Sequence, residues 1–127
     1  MTRELTSHKV NGMNELLRID VLDEPGQGGA CHLYGITSIE SRNSDVPPAV
    51  MCPIRFQNGP IGEVGINGIS GEALLAIILD RLECFQDGPY ACESNRRALI
   101  YVENALDELH SRTRDRMARD VEGTHEK

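Results

Sequence analysis

The pattern that dictates the architecture lies in residues 70–122: SGEALLAIILDRLECFQDGPYACESNRRALIYVENALDELHSRTRDRMARDVE. Its apolar residues repeat with a period close to 3.6, which is typical of helices that pack along one face. Ser70 is predicted to cap a first helix over residues 71–86, which the Asp-Gly-Pro sequence at 87–89 ends. The predicted packed face of this helix consists of Leu74, Ile78, Leu82 and Phe85.

A second helix is predicted to begin near Ser94. It meets no Gly or Pro before Gly123, so at 1.5 Å per residue it extends up to about 40 Å. The short Gly-Pro connection between the two helices indicates an antiparallel helical hairpin.

Residues 1–69 follow a period of two instead. Leu17, Ile19 and Val21 alternate with polar residues, which predicts a half-buried strand, and further strands are predicted at 30–39, 50–56 and 61–66. The Asn-Gly pair at 58–59 predicts a β-hairpin between the last two strands, whereas residues 23–29 and 40–48 form loops. We therefore predict an α+β fold in one domain over residues 1–127: a small N-terminal antiparallel β-sheet (1–69), a C-terminal antiparallel helical hairpin (70–122) and a tail (123–127).

Composition favours an oligomer and argues against several partners. The 127 residues are 39% hydrophobic and include two Phe and no Trp, so a single chain has a thin core. The formal net charge of −7 repels a nucleic-acid polymer. The N-terminus lacks the apolar segment of a signal peptide, and the longest apolar run, at 73–79, is too short to span a membrane. We expect a cytosolic homo-oligomer.

The four cysteines provide little sign of metal or catalytic chemistry. They form no CxxC pair, so we expect buried, reduced side chains and no metal site or cofactor. Cys84 or Cys92 with His110 is the candidate catalytic pair, yet nothing local marks an activated thiolate. The glycines at 62, 65, 68 and 71 do not match a phosphate-binding loop. Binding is favoured over catalysis.

The arginines point to an anionic ligand. Eleven of the 13 basic residues are Arg, and six lie in the second helix. At 100° per residue, one stripe of that helix is predicted to contain Asn95, Ala98, Val102, Ala105, Leu109, Arg112 and Arg116. Two guanidinium groups one turn apart can bind the phosphates of a pyrophosphate or cyclic nucleotide bidentately. The alternative is that these arginines pair on a solvated helix surface with Asp107, Glu108 and Asp115.

Two further sets of residues have both structural and ligand-binding interpretations. Phe85 is either a core residue at the tip of the hairpin or a ring on which a purine stacks. Arg114 faces away from the arginine stripe and fits a surface role. Two roles are possible for four further arginines, either an additional contact to an anion or a surface position: Arg3, Arg18, Arg42 and Arg55.

Residues 55–126, which begin RFQNGPIGEVGINGISGEALL, resemble phage proteins that carry a helical hairpin after a β-rich segment and sequester bacterial immune nucleotides. The preceding β-sheet makes the chain similar to the anti-Thoeris sponge family, the first type of Thoeris anti-defence protein. The shorter, all-helical anti-CBASS sponge is a near relative. The resemblance implies a protein of the host bacterial cytoplasm that binds glycocyclic ADP-ribose, the signal of Thoeris TIR proteins, without cleaving it.

The resemblance also implies where the ligand binds. The family's pocket lies at a dimer interface and contains an aromatic residue, an asparagine and a late arginine pair, whose positions here are Phe85, Asn95, Arg112 and Arg116. An antiparallel subunit arrangement would bring the arginines of one chain near Phe85 of another. Some members assemble as a hexamer, a trimer of dimers, with a second site for cyclic oligonucleotides. The alternatives are an anti-CBASS sponge for cyclic di- or trinucleotides, an enzyme that degrades the signal, and an adaptor for a host protein.

Overall fold

A computed structural model describes residues 2–38 and 50–119, and it contains a sheet followed by helices. The four strands pair antiparallel with their sequence neighbours in the order β1-β2-β3-β4, where β1 is Arg3–Leu5, β2 Leu17–Val21, β3 Leu33–Ser38 and β4 Val50–Arg55. The helices are α1 Gly12–Glu15, α2 Ile61–Val64, α3 Gly71–Gln86 and α4 Glu93–Ala118. The predicted α+β class is confirmed.

The described residues divide into two compact units. The sheet unit comprises the described residues up to Gly59 together with Ile66–Ile69, and the helical unit comprises Pro60–Gly65 and the described residues from Ser70 onwards. None of the described helices is both long enough and apolar enough to cross a membrane.

Strand β2 has the predicted alternation. Val21 is fully buried, and Arg18 is exposed and pairs with Asp20 at 3.1 Å. The loop after it contains a short 3₁₀ turn at Gln27–Gly29, as expected of this Gly-rich segment. The predicted loop at 40–48 lies outside the described residues.

The predicted hairpin at Asn58-Gly59 is wrong. Pro60, with a φ of −67°, is the N-cap residue of helix α2, so residues 61–64 of the predicted strand at 61–66 are helical. The Asn67 side chain binds the backbone of Asn58 through bonds of 2.8 and 2.7 Å, which occupies the groups that a strand partner would use. The chain then returns in parallel, and Ile69 bridges Phe56.

This return depends on a glycine. A Cβ on Gly68 would lie 2.3 Å from the carbonyl carbon of Phe56, so only glycine allows the two backbones to come this close. The bridge is closed by bonds from the Gln57 amide to the Ile69 oxygen (2.9 Å) and from the Ile69 amide to the Arg55 oxygen (2.8 Å).

The helical hairpin has the predicted boundaries at the start and end of α3. The Ser70 hydroxyl accepts a hydrogen bond from the Ala73 amide at 3.1 Å, and the helix ends at Gln86. Helix α4 begins at Glu93, one residue before the predicted start, because the Cys92 sulfur caps it by accepting from the Asn95 amide. The predicted last turn and tail, 120–127, lie outside the described residues.

The two helices contact each other along a stripe with alternating spacings of three and four residues. The half-buried or buried positions are Glu72, Leu74, Leu75, Leu79, Leu82 and Gln86 on α3, and Asn95, Ala98, Leu99, Val102, Leu106, Leu109, Thr113 and Arg116 on α4. The predicted faces were therefore partly wrong. Ile78 and Phe85 on α3, and Ala105 and Arg112 on α4, are exposed beside the stripe.

The expectation of buried cysteines holds for only one of the four. Cys31 is buried, whereas Cys52, Cys84 and Cys92 are exposed. All four are free thiols. Cys84 on α3 and Cys92 at the cap of α4 lie outside the packed stripe, so helix packing does not bury them.

The Ser70 cap provides a test of the hairpin's boundary. Ser70→Ala removes the acceptor for the Ala73 amide, so we expect the helical unit to lose about 1 kcal/mol of unfolding free energy. Urea denaturation followed by circular dichroism measures this loss. Ser111→Ala, at an exposed position inside α4, is the control and should leave stability unchanged or slightly raised. Equal losses in the two variants would contradict the cap.

Asp23 makes the stability of the sheet unit depend on pH. Its carboxylate accepts hydrogen bonds from the backbone amides of His32 (2.9 Å) and Leu33 (3.2 Å), and these bonds hold the pKa of Asp23 below its ordinary value. Because the folded pKa is lower than the unfolded one, Asp23 stabilises the fold at neutral pH and loses this effect as the pH falls through its folded pKa.

We therefore expect Asp23→Asn to be less stable than the parent at pH 7. The difference should shrink near pH 2 to 3, below the ordinary Asp pKa of about 3.9. Urea midpoints at both pH values measure it. Asp107→Asn, at an exposed helical position, should show no such pH-dependent difference.

Candidate functional site

The tip of the helical hairpin is held by side chains from both of its sides. The side-chain Oε1 of Gln86 accepts from the Cys92 backbone amide at 3.0 Å, and the Asn95 side-chain amide donates to the Tyr90 backbone oxygen at 3.4 Å. Asn95 is half-buried and belongs to the packed stripe of α4. The tip therefore presents a fixed surface on which Phe85 and Asn95 are the predicted ligand-binding residues.

Phe85 is not a core residue. Its side chain is 36% exposed on the last turn of α3, beside the stripe that packs against α4. The guanidinium carbon of Arg81 lies 5.3 Å from the centroid of its ring, which is the geometry of a cation–π contact. The ring can therefore offer a stacking surface to a planar ligand.

The predicted arginine pair lies near the opposite end of α4. Arg112 is exposed and forms no salt bridge with any residue that the structure describes, and Asp115 pairs with Arg119 at 3.2 Å instead. Arg116 is 7% exposed and is engaged in an interaction. Arg114 is exposed, as predicted. One turn of helix thus separates an accessible guanidinium from a buried one.

One chain does not bring the two pairs together. Phe85 and Asn95 lie at the tip, and the helical rise of 1.5 Å per residue places Arg112 about 26 Å from Asn95 along α4. A nucleotide-sized ligand cannot contact both ends of one hairpin. A site that uses all four residues must therefore include two copies of the chain.

The structure does not assemble the predicted catalytic pair either. Cys84 and Cys92 lie near the tip, whereas His110 is about 27 Å along α4 from Cys92. The Cys92 sulfur is used as a helix cap. Within residues 2–38 and 50–119, no group of three His, Cys, Asp or Glu side chains could hold a metal ion.

The remaining arginines differ in their surroundings. Arg18 is paired with Asp20, which raises the pKa of the guanidinium, and Arg3 lies 3.9 Å from the Cys31 sulfur. Arg55 is exposed at the end of β4 and lines a cavity that the sequence did not predict. Arg42 lies outside the described residues.

Comparison with known proteins gives one informative relative. No protein-family model matches the chain. Over 77 residues it is 43% identical to "Thoeris anti-defense 1" of Bacillus phage SBSphiJ7, a match that covers 61% of this chain and 54% of the relative. The chain thus spans about half the length of that curated relative. The comparison confirms the resemblance to the anti-Thoeris family.

The burial of Arg116 predicts a structural as well as a ligand-binding effect. Removal of a buried, engaged guanidinium costs about 1 to 3 kcal/mol, so Arg116→Ala should lower Tm by roughly 5 °C or more without any ligand. Arg112→Ala should leave Tm unchanged, because Arg112 is exposed. Differential scanning calorimetry distinguishes the two variants, and equal Tm values would mean that Arg116 contributes nothing to folding.

Proposed function

We propose that this chain is a phage anti-Thoeris protein that binds glycocyclic ADP-ribose in the host cytoplasm and holds it without cleaving it. The name of its Bacillus phage relative supports the anti-Thoeris role. The observation that supports this ligand is the exposed Arg112 beside Arg116 near one end of the helical hairpin, with the exposed Phe85 ring on α3 at the other end. Binding uses no cofactor.

The arginines supply the chemistry for the pyrophosphate. A guanidinium presents a planar fork of N–H donors that matches two phosphate oxygens, and charge-assisted hydrogen bonds of this type are about twice as strong as neutral ones. Arg112 is free to turn toward a ligand, while burial holds Arg116 in one orientation. We call this pair the arginine clasp: Arg116 has a fixed side chain, and the Arg112 side chain is free to reorient.

The tip supplies the contacts for the rest of the ligand. Purine rings stack favourably on aromatic side chains, and the Phe85 ring is exposed enough for this contact. The Asn95 amide, which bonds the Tyr90 oxygen, lies where its free oxygen can accept a hydrogen bond from a base or ribose.

The pocket is completed by a second copy of the chain. In an antiparallel dimer, the arginine end of one hairpin lies next to the tip of the other. Residues that are far apart within one chain, such as Phe85 and Arg112, can then contact the same ligand from two chains. Large apolar side chains remain exposed on the helical unit, including Ile77 (58%) and Tyr101 (68%), and their burial favours self-association. By resemblance, three such dimers form a hexamer, which can carry a second site for cyclic oligonucleotides.

Release of the ligand after denaturation tests this function against its alternatives. The protein is incubated with glycocyclic ADP-ribose, separated from free ligand and heated, and the supernatant is analysed by chromatography. A sponge releases the intact ligand. An altered product identifies an enzyme, and recovery of no ligand identifies an adaptor. Cyclic di- and trinucleotides run in parallel identify an anti-CBASS sponge.

The arginine clasp predicts a graded loss of affinity. Each charge-assisted contact contributes roughly 1.5 to 3 kcal/mol, so Arg112→Ala or Arg116→Ala should weaken binding about tenfold to a hundredfold. Arg112→Lys should also bind weakly, because the ammonium keeps the charge but lacks the planar fork. Isothermal titration calorimetry gives the affinities.

Arg114→Ala is the matched control for this series, since Arg114 is exposed on the same helix. Its affinity should change by less than about threefold, as expected for an exposed charge. Equal losses in Arg112→Ala and Arg114→Ala would mean that general electrostatics, and not a defined clasp, binds the ligand.

The shared pocket also predicts an oligomer. Light scattering at micromolar concentration should report at least a dimer, and a hexamer if the resemblance extends to the complete assembly. A stable monomer of 14.0 kDa would remove the basis for an interfacial pocket.

A further inference from the structure

A cavity of about 210 Å³ lies in the sheet unit, among residues that the proposed function does not use. It is located where β3 begins and β4 ends, and Leu33 pairs with Arg55 in this part of the sheet. The polar side chains around it belong to Asp23, His32, Arg55, Asn58 and Asn67. Four segments of the chain, at 23, 32–33, 55–58 and 67, therefore contribute to one concave polar surface.

His32 lies in the wall of this cavity and has a buried ring nitrogen without a hydrogen-bond partner in the described part of the chain. Its side chain is 8% exposed, and Nδ1 has no hydrogen-bond partner among the residues that the structure describes. The imidazole lies next to Gly26, where a Cβ would be 3.5 Å from Nδ1, so this atom faces backbone that leaves it without a partner. Buried polar atoms are nearly always paired in native proteins, so this nitrogen is available to a ligand or a water molecule.

Arg55 and Asn58 add two more unused donors. The Arg55 guanidinium is exposed and forms no salt bridge within the described part of the chain. The backbone of Asn58 is held by the Asn67 side chain at 2.8 and 2.7 Å, so the loop is fixed, while the carboxamide of Asn58 forms no hydrogen bond with a described residue. Both side chains can therefore donate to a ligand without breaking an existing contact.

Asp23 does not compete for these donors. Its two carboxylate oxygens accept from the backbone amides of His32 and Leu33, at distances between 2.9 and 3.2 Å. These bonds shape the cavity wall and compensate part of the carboxylate's charge. Arg55 supplies the positive charge of the site and forms no ion pair with a described residue.

We propose that this cavity binds a phosphate group through N–H donors of Arg55, Asn58 and His32. A tetrahedral oxyanion presents oxygens in several directions and is matched by three donors that come from two segments, at 32 and 55–58, whereas a carboxylate offers two coplanar oxygens. The cavity is larger than one phosphate, so the phosphate can be part of a larger molecule. The site is separate from Phe85, Asn95 and the arginine pair, which all belong to the helical unit.

The test is an NMR titration of the full chain with inorganic phosphate at constant ionic strength. The imidazole resonances of His32, assigned by their absence in His32→Gln, should shift saturably with a Kd on the order of 1 mM. Arg55→Gln should weaken binding at least about tenfold, because it removes a charge-assisted contact. Should His32→Gln fail to fold, the exposed Arg55→Gln still provides the comparison.

Arg18→Gln is the matched control, since Arg18 lies in the same sheet and is already paired with Asp20. It should change the phosphate affinity by less than about twofold. The same titration is repeated with adenosine monophosphate. Tighter binding of this nucleotide than of inorganic phosphate identifies a site for a phosphate monoester, and the reverse identifies a site for free phosphate. The proposal is overturned if the parent shows no saturable shift, if Arg18→Gln loses as much affinity as Arg55→Gln, or if acetate binds as well as phosphate.

Discussion

The packing of α3 against α4 along one stripe determines where every candidate residue of the nucleotide site lies. The alternating spacing of three and four residues keeps the stripe of α4 continuous from Asn95 to Arg116. Because each helical residue adds a fixed rise of 1.5 Å, Phe85 and Asn95 lie at the tip of the hairpin and the arginine pair lies near the far end of α4. The hairpin is therefore too long for one chain to bring all four proposed residues to one ligand, and the proposed site requires a second chain.

The same packing leaves much apolar surface exposed. No residue of α3 is fully buried, and the only buried side chain of α4 is Arg116. Two helices bury one stripe each, so the other apolar side chains, such as Ile77 and Tyr101, need a further layer. In the proposed dimer, a second copy of the chain supplies both that layer and the other half of the pocket. Stability and ligand binding are then coupled, because ligand bound across the interface stabilises the oligomer by mass action.

Local signals made much of the fold predictable from the sequence. Ser70 and the Asp-Gly-Pro stop define α3, and strict alternation defines β2, since caps and period-2 patterns act within a few residues. The return of the chain after Asn58 was not predictable in this way, because it depends on Pro60 and on the approach of Gly68 to Phe56. Uniform 100° steps placed Arg112 on the packed face, whereas the stripe follows Thr113 and Arg116. The cavity at His32 was missed because strand pairing, not sequence spacing, brings Arg55 to it.

The central claim, that two chains share each nucleotide site, is tested most directly by mixing two defective variants. Phe85→Ala loses the ring at the tip and Arg112→Ala loses the arginine at the other end, so each homodimer lacks complete sites. In a mixed dimer, one site carries both substitutions and the other carries neither. Calorimetric titration with glycocyclic ADP-ribose after unfolding and co-refolding of the two variants should therefore recover a fraction of sites with the parent's affinity. Recovery of no such sites, in a mixture shown to contain mixed dimers, would contradict the account.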